Sequence, residues 1–185
     1  MSTLDRRRLL LLAPLAVAVV GGGAFALMLE RMAEEKFDPH AVDAPIVGKP
    51  VPEFSLPGLG TERGFSSFDL RAEAHNAPVL LNFFASWCIP CASEADILGD
   101  LAKTVAVWGI TYEDKPDAAA AFLERYGNPY RRLATDRSGR TAIDFGVYGV
   151  PESFLVGADG SIRWHLAGPL DEKSADRLRA ALHAA

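Results

Sequence analysis

The chain has 185 residues, a formal net charge of -5, 49% hydrophobic residues and two cysteines. That length holds one domain with its own core plus an accessory segment. No Lys/Arg-rich stretch follows Lys36, which argues against a phosphate-tracking nucleic-acid surface. Two cysteines cannot build a disulfide framework, so the fold must rest on its apolar core.

The chain starts with a membrane-type segment. Arg6, Arg7 and Arg8 precede the run Leu9 to Leu29, which carries no charged side chain. As a helix the run spans about 31 Å, close to the hydrocarbon thickness of a bilayer. Three arginines before it and the mixed charges from Glu30 to Lys36 after it predict a cytoplasmic N-terminus and an exported remainder. Pro14 and Gly21 to Gly23 are tolerated in a membrane helix. Ala24-Phe25-Ala26 also fits a signal-peptidase site, so cleavage competes with retention. The apolar run continues past that site to Leu29, which favours a retained anchor. Arg6-Arg7 is a loose match to a twin-arginine signal. All three readings export the rest of the chain to a compartment where disulfides persist. We divide the chain into a signal-anchor helix at 1–29, a Pro- and charge-rich linker at 30–48 and a folded domain at 49–185.

The domain alternates strand and helix patterns. Val51 to Leu56 is a candidate edge strand, because Pro50, Pro52 and Pro57 forbid a central one. Val79 to Phe84 is a buried strand, Ser93 to Lys103 a helix and Val105 to Tyr112 a second strand. Pro116 opens a helix that runs to Tyr126, with Phe122, Leu123 and Tyr126 as its core stripe; Gly127-Asn128-Pro129 ends it. Arg131 to Thr135 is a short strand and Thr141 to Phe145 a short helix. Ser153 to Val156 and Ser161 to Leu166 flank the turn Gly157 to Gly160 as a hairpin. A closing helix covers Asp171 to Leu182. This order predicts an α/β domain, a thioredoxin-like mixed sheet flanked by helices, with an inserted helix and short strand at about 116–135.

Both cysteines lie in Trp87-Cys88-Ile89-Pro90-Cys91, directly after the apolar strand. A strand that delivers Cys-x-x-Cys to a helix start reads as a thioredoxin-like redox site. A disulfide closing so small a loop constrains the unfolded chain by only about 2 kcal/mol, a weak structural reason to keep it. A zinc site needs about four ligands, and His40, His75, His165 and His183 are scattered; we assign no metal. The cofactor is the Cys88–Cys91 disulfide itself. The helix dipole contributes about 0.3–1 kcal/mol and one pKa unit costs about 1.4 kcal/mol, so direct N–H donors must do most to stabilise a Cys88 thiolate. Pro90 has no N–H and withholds one of them. Cys88 is therefore expected to be a moderately acidic, exposed attacker, and Cys91 a shielded resolving thiol.

Longer strings carry a resemblance. Ile46 to Phe54, Leu81 to Cys88, Tyr126-Gly127-Asn128-Pro129-Tyr130 and above all Gly146-Val147-Tyr148-Gly149-Val150-Pro151-Glu152-Ser153-Phe154-Leu155-Val156 resemble the DsbE/CcmG family of membrane-anchored cytochrome c biogenesis thioredoxins. The resemblance covers about residues 46–170. It implies that Pro151 is a cis proline facing the cysteines and that the backbone of Val150 binds an extended substrate. It also implies a reductant of the Cys-x-x-Cys-His disulfide of apocytochrome c, in the periplasm, anchored in the inner membrane and re-reduced by a membrane electron donor of the DsbD/CcdA type. A broader exported reductase or oxidase, or an anchored binding module for unfolded cysteine-bearing chains, are the alternatives.

Several neighbours of the motif complete the expected site. Glu94 matches an acidic position of the family. Three residues after Cys91, it shares the inward face of Leu98 and Leu101 and is expected to exchange a proton with Cys91. Glu152 also matches the family and is expected to border the groove. Asn82 takes the place where many thioredoxins carry a buried aspartate; an amide cannot take a proton, which leaves that duty to Glu94. Trp87 is expected to pack beside the cysteines and shield them. Asp144 matches the family pattern without an assigned role, and Glu113-Asp114-Lys115 reads as a solvated turn.

Overall fold

The computed structural model describes residues 17, 19–28, 46–61 and 63–182. The chain divides into two units, Met1–Val42 and Asp43–Ala185. In the first, residues 19–28 are helical and expose Val19, Val20, Phe25, Leu27 and Met28. Among the described residues no helix is long and apolar enough to cross a membrane. The rest of the expected 1–29 segment, and the expected linker as far as residue 45, lie outside the described residues.

The second unit is built on a five-stranded mixed sheet. Its centre is β3, Val79–Phe84, buried at every position. A strand covered on both faces must read as a continuous apolar run, and this one does except at Asn82. β4, Ala106–Tyr112, pairs with β3 in parallel, and β5, Arg132–Asp136, extends that parallel half. β6, Glu152–Val156, and β7, Ile162–Ala167, form the antiparallel half. Asn82 faces Gly109 on one side and Ser153 on the other in the register.

Helices cover both faces, giving the expected mixed α/β architecture. On one face Leu70 and Ala74 of α1 (Ser67–Ala74) and Ala142 and Phe145 of α5 (Arg140–Phe145) join Leu81, Phe83, Trp108 and Phe154. On the other, α2 (Ile89–Ser93), α3 (Ala95–Leu101), α4 (Pro116–Tyr126) and α6 (Glu172–Leu182) bring Cys91, Leu98, Leu101, Phe122, Leu123 and Leu178 onto Leu80, Phe84, Val107, Leu133 and Leu155. Phe122 and Leu123 of the expected stripe are therefore core, whereas its third residue, Tyr126, is exposed.

Three local expectations change. The edge strand expected over Val51 to Leu56 shrinks to β1, Ser55–Leu56, which pairs with β2, Phe65–Ser66, in a small sheet of its own. Prolines 50, 52 and 57 lack the donors a longer ladder needs. α1 has no counterpart among the expected elements. It is started by a capping box, in which Ser66 Oγ accepts from the Asp69 N–H and Asp69 accepts from the Ser66 N–H. The helix expected from Ser93 begins at Ile89 instead, and is divided into α2 and α3 at Glu94.

Candidate active site

β3 ends at Phe84 and hands the chain to Cys88, which caps α2 in an extended conformation. Cys88 and Cys91 are joined as a disulfide. The Cys91 N–H donates to Cys88 Sγ at 3.1 Å, and Pro90, inside the first turn, offers no donor. The approach to the motif is clamped from β4. Asp114 accepts from the Ser86 N–H at 2.6 Å and from Ser86 Oγ at 2.8 Å. Of the solvated turn expected at Glu113-Asp114-Lys115, Glu113 and Lys115 are exposed, but Asp114 is buried and serves as a fixed support. A carboxylate satisfied by such donors gains more by holding the loop than by facing water.

Opposite the cysteines runs the loop to β6. Val150–Pro151 is a cis peptide bond, as the resemblance implies. The Val150 carbonyl oxygen lies 3.3 Å from Cys88 Sγ. This contact accounts for one departure from expectation: in the disulfide, Cys88 is 4% exposed and Cys91 3%, so the attacker is nearly as shielded as its partner. Exposure belongs to the flanks. Ile89 is 85% exposed, Trp87 57%, and Tyr148 is also exposed. Trp87 turns its ring edge-on to Tyr112 at 6.3 Å. It stands on the rim and is not core filler.

Beneath the motif lies a closed polar network. Glu94 is fully buried. Its Oε1 accepts from Asn82 Nδ2 at 3.0 Å and its Oε2 from the Leu170 N–H at 2.8 Å. Asn82 Nδ2 also donates to Ser153 Oγ at 3.0 Å, and Asn82 Oδ1 accepts from the Tyr130 hydroxyl at 2.7 Å. Burial pushes the Glu94 carboxyl up to about 7, while the Leu170 and Asn82 donors pull the other way. Burial, and secondarily the charge of Glu94, holds the Tyr130 phenol well above its ordinary range, so it stays a donor. Both Glu94 oxygens are engaged away from the cysteines, and among the described residues it makes no direct hydrogen bond to Cys91.

Tyr130 reaches Asn82 because its ring packs over Gly109, the neighbour of Asn82 in β4. A side chain at Gly109 would put its Cβ 2.8 Å from the Tyr130 ring and 2.9 Å from Leu133. The ring also stacks on Phe84 at 4.7 Å.

Glu152 does not border the groove as expected. It is buried at the start of β6, where Oε2 meets His165 Nε2 at 2.7 Å and Oε1 accepts from the Tyr148 N–H at 3.2 Å. Period-two alternation sets this. Glu152 shares the face of Phe83 and Phe154, opposite that of Asn82 and Ser153. Asp144 only pairs with Arg140 one turn away. Tyr130, Ser153, Asp114, Leu170 and His165 were not among the expected site residues. For Ser153 a signal existed, since it is a polar residue next to the apolar run Phe154 to Val156.

What this geometry can do is exchange one disulfide for another, and the chain is a thiol:disulfide oxidoreductase. Comparison with known proteins agrees. Residues 46–182 match the redoxin family. The thiol:disulfide interchange protein HelX of Rhodobacter capsulatus is 38% identical over 154 residues, 83% of this chain and 82% of that protein. The thiol:disulfide interchange protein DsbE of Escherichia coli is 37% identical over 168 residues, 90% of this chain and 89% of that protein. Among solved structures, a DsbE-type protein from Chlorobium tepidum superposes with a TM-score of 0.60 at 26% identity, covering 73% of this chain and 94% of that one. The chain belongs to the DsbE/CcmG family of the thioredoxin superfamily.

Proposed function

We propose that the protein is an exported disulfide reductant that acts on the Cys-x-x-Cys-His segment of apocytochrome c. The observation that carries the direction of the reaction is the surroundings of Cys88 Sγ. Among the described residues one backbone N–H, that of Cys91, donates to it, and the Val150 carbonyl faces it at 3.3 Å. A carbonyl oxygen repels a thiolate and accepts from a thiol. A strong oxidant needs a well-stabilised thiolate in its reduced form; one donor opposed by one carbonyl supplies little of that.

The exchange runs in two steps. The Cys88 thiolate attacks one sulfur of the substrate disulfide; the substrate S–S bond breaks and its second sulfur leaves as a thiolate that takes a proton. Cys91, deprotonated, then attacks Cys88 Sγ. The mixed disulfide breaks, the substrate leaves as a dithiol, and the protein holds Cys88–Cys91. Two electrons pass to the substrate. We assign to Glu94 the exchange of a proton with Cys91 during resolution, relayed by one water because both its oxygens are held by Asn82 and Leu170; its poise near neutral pH supports the role. Val150 and cis-Pro151 receive the substrate backbone, and Trp87 and Ile89 offer apolar contact on the rim.

We also propose that the segment Leu9 to Leu29 anchors the protein in the inner membrane with its domain in the periplasm, and that a donor of the DsbD/CcdA type re-reduces it. The charge-free run and its flanking arginines support the anchor. Trapping with Cys91→Ser tests the substrate. Recovery of apocytochrome c, linked to Cys88 through its Cys-x-x-Cys-His segment, supports the reading. A broad set of exported proteins contradicts it in favour of a general reductase. No linked partner favours a binding module.

A further inference from the structure

His165 is half-buried beside the site and has no part in the exchange just described. Its Nε2 lies 2.7 Å from Glu152 Oε2, with the two side chains 9% and 1% exposed. Its ring stacks on Phe154 at 4.6 Å, which fixes its plane. Nε2 and Oε2 share one proton across this contact. The other oxygen of Glu152 accepts the Tyr148 N–H. Two residues on, the Val150 carbonyl meets Cys88 Sγ, and Pro151 O is tied to the Gly168 N–H at 2.9 Å.

We propose that His165 is a positioning residue: through Glu152 it holds the Tyr148 to Val150 loop where a substrate strand docks beside Cys88. The argument is one of satisfaction. Glu152 has two oxygens and two partners, and no water-exposed surface to fall back on. Without His165 its Oε2 is a buried acceptor with nothing to accept. The carboxyl then turns, and Oε1 no longer fits the Tyr148 N–H. The loop is left tied only at its two ends, by the Val147 N–H to Ala142 O and by Gly168, and the Val150 carbonyl loses its fixed distance from the attacking sulfur. The proposal rests on the reading of Val150 and Pro151 as the substrate-binding edge.

The test is reduction of a disulfide-bonded Cys-x-x-Cys-His peptide by the full-length reduced protein. It compares His165→Leu, His165→Gln and Pro151→Ala with the unaltered chain. Gln extends an N–H donor to nearly the same point as Nε2. His165→Leu should raise KM about tenfold, the order set by one charge-assisted hydrogen bond, with kcat little changed. His165→Gln should restore KM to within about twofold of the unaltered protein. The rate at which dithiothreitol reduces Cys88–Cys91 should be the same in His165→Gln as in the unaltered chain. If His165→Leu does not fold, His165→Asn, polar but too short to reach Glu152, takes its place. An unchanged KM in His165→Leu while Pro151→Ala raises it overturns the role of His165 and leaves the groove reading intact. Equal impairment in the Leu and Gln variants overturns it too, since ring volume would then be what matters. An unaltered KM in Pro151→Ala as well removes the groove reading, and the proposal with it.

Discussion

The Tyr130 hydroxyl donates to Asn82 Oδ1 at 2.7 Å and so turns the Asn82 amide nitrogen toward Glu94. An amide has one accepting end and one donating end, and the phenol decides which end Glu94 sees. Tyr130→Phe keeps the ring stacked on Phe84 and removes only the donor. We expect a loss of about 1–3 kcal/mol, the cost of a buried acceptor left unpaired. The freed amide can then offer Oδ1 to a protonated Glu94, which moves the Glu94 titration upward. Denaturant melts and the pH profile of mixed-disulfide resolution check both parts.

Glu94 makes stability depend on pH, with a definite sign. Its carboxyl is raised by burial from an ordinary 4.5 to about 7. Below pH 4.5 the folded and unfolded chains both hold the proton, and the contribution is complete. As pH rises from 4.5 to 7, the unfolded chain releases a proton that the folded one keeps, and stability falls by an amount on the order of 3 kcal/mol. Glu94→Gln should flatten this part of the stability–pH curve. An equal slope in both proteins across that window contradicts the assignment.

Gly109 is predicted to be intolerant of any side chain. Its Cβ would meet the Tyr130 ring at 2.8 Å and Leu133 at 2.9 Å. Gly109→Ala should therefore cost about 1–3 kcal/mol from overpacking. It should also reproduce the pH shift of Tyr130→Phe, because the displaced phenol no longer reaches Asn82. A melt and a resolution profile on the one variant test the pair.

Asp114 should matter more than its place in a charged turn indicates. Asp114→Ala removes the acceptor of two Ser86 donors at 2.6 and 2.8 Å. The expected cost is about 1.5–3 kcal/mol, typical of hydrogen bonds to a charged group. Trp87→Ala, at a 57% exposed position, should by contrast change stability by no more than about 0.5 kcal/mol and slow only peptide reduction. Chemical denaturation of the two variants side by side checks the contrast.

The motif, the strand that delivers it and the helix from Pro116 to Tyr126 were legible because each has a local signal: two cysteines at fixed spacing, an unbroken apolar run, a proline at a helix start. The inward face of Glu94 followed from helical spacing. What escaped was long-range. Asn82 and Tyr130 are 48 positions apart, Asn82 and Ser153 71, Glu94 and Leu170 76. No periodicity carries such pairings; strand register makes them. Glu152 was misread for the same reason, since one position along β6 decides which face a side chain takes. α1 was missed although its capping box, Ser66 with Asp69, is written in the sequence.

The reduction potential of the Cys88–Cys91 couple tests the central claim most directly. Equilibration of the protein with dithiothreitol redox buffers would measure it. The surroundings of Cys88 predict a value near that of reducing thioredoxins, about -270 mV. A value near about -120 mV, that of a strong oxidant, would mean that the reduced form is well stabilised and would contradict the reductant reading.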